Sequence, residues 1–292
     1  MNRYAFGLLV VLATSLMGSS FAVGKVGLSY FSPILLVGIR FTLAGAIMAL
    51  VVKIKKQKMP ASIQDLAKLL LIGFFQTTAV MGCIFLSMRT ISAGETSILT
   101  FVNPLLVVIL GVVFMGLKYR LYQWVGVFVG FAGVFVTLGF HMRFSIGTLL
   151  GLGSALAWAI ATLLVKKWRV KFDNWVLTAY QMLFGGLLLL LLSVSMESHH
   201  FILNWTSFGV IFYLAIFGSI IQFAVWYYLL SKGDPGKTSA FLFLAPFFGV
   251  LSGWLILGEV IHWYAYFGGI CIFIGIFLVN WTTQQKNSRE KE

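Results

Sequence analysis

Apolar stretches of about twenty residues succeed one another along nearly the whole chain, at about 4–24, 33–53, 66–87, 94–116, 122–140, 147–167, 174–194, 206–229, 237–258 and 264–281. An α-helix needs roughly 20 such residues to cross about 30 Å of hydrocarbon, so each stretch reads as one span. The loops between them are too short to hold a soluble domain. In lipid, backbone N–H and C=O groups must be satisfied internally, which leaves helices or a closed barrel. Barrel strands would alternate apolar and polar residues, and runs such as Leu187–Leu192 do not. The expected fold class is therefore an all-α polytopic membrane protein with ten transmembrane helices. Composition agrees: 60% of residues are hydrophobic and only 10% charged, whereas soluble domains are about a quarter charged.

The net charge of +13 could suggest nucleic acid, but the basic residues sit in short segments between apolar runs, as membrane topology requires. With the N-terminus inside, the inner segments collect 17 of the 21 Lys and Arg residues, among them Lys53, Lys55, Lys56, Lys166, Lys167 and Lys286. Lys25, Arg89 and Arg143 fall at outer ends, and Arg40 falls within a span. Both termini are thus expected to be cytoplasmic, in a bacterial inner membrane. Ser20-Phe21-Ala22 is a weak small-x-small cleavage site, but further spans follow at once, so the first run reads as a retained helix. Cys83 and Cys271 both lie in apolar runs and give neither a disulfide framework nor metal spacing.

The chain also repeats itself. A shift of 142 places Gly94 on Gly236, Thr96 on Thr238, Ser97 on Ser239, Pro104 on Pro246, Gly116 on Gly258 and Gly133 on Gly275. A shift of 141 places Lys25 on Lys166 and Gly45 on Gly186. The unit is five helices, giving repeats over 1–142 and 143–292. Because five is odd, the second copy must be inverted in the membrane. Loop charges agree, since basic KIKKQKMP in copy one corresponds to SVSMESHHFILNW, which has no Lys or Arg, in copy two. Inverted repeats of this kind are associated with alternating access around a midplane site.

These residues resemble a known family. Ten spans, Ala93-Gly94-x-x-Ser97 followed by Asn103-Pro104, Arg40-Phe41 in the second helix and Leu257-Gly258-Glu259 closing the ninth are similar to the EamA branch of the drug/metabolite transporter superfamily. The resemblance implies that helices 1–4 and 6–9 surround a central cavity, with helices 5 and 10 peripheral. It further implies export or exchange of small metabolites, amino acids included. Copy one departs from it by ending Met115-Gly116-Leu117-Lys118, without the acid that copy two has in Glu259.

Polar groups within lipid are costly and are functional candidates by default. Arg40 lies about seven residues into helix 2. It is either a cation snorkelling to outer headgroups or a cavity cation that binds a substrate carboxylate or pairs with an acid. Glu95 heads helix 4, where a carboxylate favours the positive helix end. The alternative is an outer gate in which Glu95 or Glu259 pairs with Arg40, Lys25 or Arg89. Asp234, with Lys232 or Lys237, reads as solvated charge on the inner side. Candidate cavity residues are Ser19, Gln76, Asn103, Trp158, Tyr180, Gln181, Gln222, Trp226 and Phe247, because amides, hydroxyls and mid-span aromatics suit a wall that binds a small molecule. Pro104 and Pro246 cannot donate an N–H and free the carbonyls of Thr100 and Leu242, which marks them as hinges. Small-residue faces on helices 5 and 10 serve packing within the chain or a homodimer.

No Gly-x-Ser-x-Gly, nucleotide-binding Gly-Lys-Ser/Thr loop or His-Glu-x-x-His is present, so neither an enzyme nor a self-contained ATP-driven pump is expected, and no cofactor or metal. The expected function is secondary transport of a small metabolite such as an amino acid, with membrane lipids and substrate as partners. The alternatives are a multidrug or quaternary-cation exporter, which needs an acid in the cavity, and a non-transporting lipid-interacting or assembly protein. The charge count makes a direct prediction about topology. In intact cells a membrane-impermeant maleimide should label Ser198→Cys from outside and Lys56→Cys only after permeabilisation, and the reverse pattern overturns the orientation.

Overall fold

The computed structural model describes residues 3–57, 60, 62–116, 120–137, 145–168, 172–198, 200–232 and 244–280. The described residues form ten helical segments and no strand; the single isolated bridge joins Phe31 and Phe201. Helix α1 spans Arg3–Gly27 and α2 spans Pro33–Ile54. Pro33 opens α2 where a missing N–H costs nothing. Helix α3 runs Ile63–Gly73, passes through a π-helical stretch, Phe74–Ala79, and continues as Val80–Ser87. Helix α4 has two pieces, Ala93–Thr100 and Asn103–Met115. Helices α5 (Leu121–Thr137), α6 (Ile146–Trp168) and α7 (Asn174–Met196) follow. Helix α8 repeats the plan of α3, with Trp205–Phe212, a π-helical Tyr213–Ile221 and Gln222–Lys232. Helices α9 (Leu244–Leu257) and α10 (Trp263–Asn280) complete the set.

Seven of these helices are long and apolar enough to cross a membrane, while Leu121–Gly133, Leu244–Leu257 and Tyr266–Gly275 are shorter apolar stretches. The outer surface carries large apolar side chains such as Phe114, Phe128, Val194, Phe208 and Trp263, each more than half exposed. A water-soluble domain rarely exposes so much contiguous apolar surface. The chain is an all-helical, polytopic membrane protein.

Helix packing follows the repeat. The broadest contacts are α2 against α7 and α5 against α10, each pair joining equivalent helices of the two halves. The α1–α8 contact has its mate in α6–α3, α1–α9 in α6–α4, and α2–α8 in α7–α3. The close approaches are reciprocal residue by residue. A side chain on Gly45 would strike the Leu183 backbone nitrogen, and one on Gly186 would strike that of Thr42. On the peripheral pair, a Cβ at Gly133 would lie 2.6 Å from the Gly268 carbonyl oxygen, and one at Gly275 would lie 2.5 Å from that of Gly126. The small faces of α5 and α10 are therefore occupied by each other, so a second copy of the chain would have to dock on other faces. Gly116 (φ 61°) and Gly258 (φ 64°) end α4 and α9 in the left-handed region, where only glycine avoids a Cβ penalty.

The two prolines sit differently from one another. Pro104 does not bend a continuous helix; it opens the second piece of α4 after a break at Phe101-Val102. Pro246 lies buried near the start of α9. Its partner carbonyl on Leu242 lies outside the described residues, as do Asp234 and Lys237. The α2–α7 crossing can be tested directly. Gly186→Ala should lower the thermal midpoint in detergent, since overpacking a close approach costs about 1–3 kcal/mol. Gly209→Ala, which meets nothing within 4 Å, should not, and equal midpoints would refute the crossing.

Candidate functional site

Inside the ring formed by α1–α4 and α6–α8 lies a cavity of about 240 Å³. Its walls are mostly apolar and aromatic, including Phe21, Phe85, Phe101, Trp158, Phe223 and Trp226. Phe101 links the wall, with ring centroids 6.3 Å from Phe21 and 5.5 Å from Trp158. Set among these are Ser20, Arg40, Gln76, Thr162, Gln181 and Gln222. Apolar walls with a few convergent polar groups are the usual form of a small-molecule site.

Arg40 is the cavity's charge. It is 3% exposed, which removes the snorkelling alternative. Its Nε–H donates to Ser219 Oγ at 2.9 Å and an Nη2–H donates to the Gly218 carbonyl at 2.6 Å. Both acceptors belong to the π-helical stretch of α8, where the wider turn displaces the ordinary helical bonds; Ser219 Oγ itself donates to Leu214 O, five residues back. A side chain at Gly218 would strike Ser20 Oγ first and press on Arg40 Nη2 at 3.2 Å, so the glycine makes room for both the serine and the guanidinium. Among the described residues no carboxylate lies within 4.0 Å of it. A guanidinium has five N–H donors and stays protonated in proteins. It is thus a desolvated cation held by neutral dipoles, with donors left for a ligand.

Of the residues singled out from sequence, Arg40, Gln76, Trp158, Gln181, Gln222 and Trp226 line this cavity. Ser19 does not, because its hydroxyl meets Tyr213 Oη at 2.7 Å, and neighbouring Ser20 takes the lining position. Tyr180 packs on Phe184 (5.7 Å), and it is Gln181 that faces the cavity. Asn103 is buried at the break in α4, outside the lining. Phe247 is 53% exposed and lies in an apolar groove between α9 and α10 with Pro246, Trp254 and Tyr266.

At the end that charge counting assigns to the outside, two carboxylates of the second half close on helix N-termini of the first. Glu259 accepts from the backbone N–H groups of Ala93 (2.7 Å) and Gly94 (3.1 Å) at the start of α4. Lys25 pairs with the same carboxylate at 3.3 Å and donates to Ile91 O at 2.9 Å. Glu197, which sequence reasoning passed over, accepts from the N–H groups of Ile34 (3.0 Å) and Leu35 (3.1 Å) at the start of α2. Beside it the two loops join through Ser32 N–H to His200 O and Ile202 N–H to Tyr30 O. Glu95 instead completes a local capping box with Ser92, and Arg89 is exposed beside a polar outer pocket with Glu197 and His200. Of the expected gate residues, then, only Lys25 and Glu259 meet.

The profile of the EamA-like transporter family matches residues 5–139 and, a second time, 145–281. The chain belongs to the EamA-like transporter family. It is 27% identical to the uncharacterized transporter YvbV of Bacillus subtilis over 278 residues, covering 94% of this chain and 90% of that one. A transporter of Archaeoglobus fulgidus is also 27% identical, covering 93% and 96%. The uncharacterized inner membrane transporter YedA of Escherichia coli K12 is 26% identical, covering 92% and 88%. A solved crystal structure shares the fold over 100% of both chains, with a TM-score of 0.67 at 18% identity. The family and these named relatives indicate a membrane transporter.

The outer carboxylates generate a prediction. An anion at a helix N-terminus contributes on the order of 1 kcal/mol. In a Cys83→Ser/Cys271→Ser background carrying Gln222→Cys in the cavity, adding Glu197→Ala and Glu259→Ala should raise labelling by an external maleimide several-fold. An unchanged rate would mean that these carboxylates do not close the path.

Proposed function

We propose that the chain is a secondary transporter carrying small carboxylate metabolites, amino acids first among them, across a bacterial cytoplasmic membrane by alternating access between two inverted five-helix halves. The observation that carries this reading is Arg40: a buried cation on a cavity wall, with no carboxylate among the described residues as partner. A ligand carboxylate would supply the missing charge and accept charge-assisted hydrogen bonds from the planar guanidinium fork. The aromatic wall suits a ligand with an apolar side chain. Reciprocal contacts across α2–α7 and α5–α10 support the two-fold arrangement, and a family profile that matches twice supports the repeat. Closure by Glu197 and Glu259 supports a conformation sealed outside with its cavity toward the cytoplasm, the loading side for an exporter.

A quaternary-cation exporter is less well supported, because among the described residues no acid lines the cavity. Counterflow in proteoliposomes with leucine, phenylalanine and tetraphenylphosphonium separates these readings. Flux of the amino acids but not of the organic cation is expected. Arg40→Ala should lower it by about tenfold or more, the equivalent of one charge-assisted hydrogen bond, while the exposed Lys56→Ala should not. Movement of the organic cation alone, or wild-type flux in Arg40→Ala, would overturn the proposal.

A further inference from the structure

The two halves carry different chemistry at one pair of equivalent positions inside the cavity. Arg40 precedes Gly45 on α2 by five residues, and Gln181 precedes Gly186 on α7 by the same interval. Gly45 meets Leu183 and Gly186 meets Thr42 in the reciprocal α2–α7 crossing, and Thr42 and Leu183 are related by the same shift of 141, so Arg40 and Gln181 are two-fold mates. Their partners are mates as well. Arg40 reaches the hydroxyl of Ser219 in the π-helical stretch of α8, and Gln181 Oε1 accepts from the hydroxyl of Thr77, at 2.5 Å, in the π-helical stretch of α3. Ser219 and Thr77 are related by the shift of 142, as are Gly218 and Gln76. Arg40 is 3% exposed and Gln181 4%, and both line the cavity. One end of the cavity is thus built as Arg40, Gly218 and Ser219, and the other as Gln181, Gln76 and Thr77. Where the first end has a glycine that leaves room for Ser20 and the guanidinium, the second has Gln76, whose amide lines the cavity.

We infer that Gln181 sets the charge the cavity accepts: the ligand presents one carboxylate to Arg40 and an uncharged group to Gln181, and solutes with a second carboxylate are excluded. The inference rests on the transport reading above. A second carboxylate at the Gln181 end would lose its water and meet an amide whose oxygen already accepts from Thr77, leaving it without a countercharge in an apolar cavity. Substituting the equivalent residues of the charged end, with Gln76→Gly and Gln181→Arg together, converts the neutral end into a second cation site.

The test is counterflow of labelled leucine and glutamate, which differ chiefly by the second carboxylate, using the full-length chain in proteoliposomes. The wild type should prefer leucine by about tenfold or more, the scale set by leaving one buried charge unpaired. The Gln76→Gly/Gln181→Arg variant should shift that ratio toward glutamate by a similar factor. Arg40→Gln alone should lose leucine flux, and adding the Gln76→Gly/Gln181→Arg pair to it should restore flux by moving the single cation to the mated end, which a merely structural role could not do. If the double substitution does not elute as a monodisperse peak, Gln181→Lys carries the same expectation. A folded variant with the wild-type ratio, or a wild type that moves glutamate as well as leucine, overturns the assignment alone. A wild type that moves neither solute overturns the transport reading and this inference with it.

Discussion

At the α2–α7 crossing two helices meet backbone to backbone, and the geometry of the interior follows from that contact. In a bilayer the apolar effect that drives soluble helices together is absent, because lipid tails are as apolar as side chains, so association depends on close packing. Gly45 and Gly186 permit an approach that any Cβ would block. Five residues before each glycine the same helices turn a polar side chain into the cavity, and the π-helical stretches of α3 and α8 wrap around those side chains. If the crossing loosened, Arg40 and Gln181 would lose their registration with Ser219 and Thr77 together.

The cavity is also defined by what it lacks. Burying an arginine is expensive; among the described residues no carboxylate offsets that cost, and the Gly218 carbonyl, the Ser219 hydroxyl and the Phe41 ring at 4.8 Å are its partners. On the proposed reading, that deficit is what a ligand anion would fill. A structural ion pair at the same place would be more comfortable and would bind nothing.

Hydropathy made the helical segments legible, because length and apolar content are all that crossing lipid demands. The repeat made the pairing of halves legible through Gly45 with Gly186 and Gly133 with Gly275. Rotational phase was not legible to the same degree. Neighbouring residues on a helix lie about 100° apart, and lipid and core are both apolar, so hydrophobic pattern does not say which of Ser19 and Ser20, or Tyr180 and Gln181, turns inward. The π-helical stretches carried no signal either, since an extra residue in the turn changes no hydropathy value. Glu197 escaped notice because, apart from the Ser193 hydroxyl, its partners are backbone amides more than 160 residues away, and no side-chain pattern marks those.

The placement of the outer acids bears on energy as well as closure. The repeat puts Lys55 opposite Glu197 and Leu117 opposite Glu259, so neither carboxylate has an acidic counterpart in copy one. At the opposite end Lys55 lies over the Trp175 ring at 4.9 Å rather than against an acid. A chain with two identical halves would weigh its two facing conformations equally. Here the two halves differ in sequence, and among the described residues Glu197 and Glu259 hold helix ends on one side. For a chain that alternates access as proposed, this would tilt the resting population before any solute arrives, and a cargo would overcome that tilt with the affinity it gains in the opposite state.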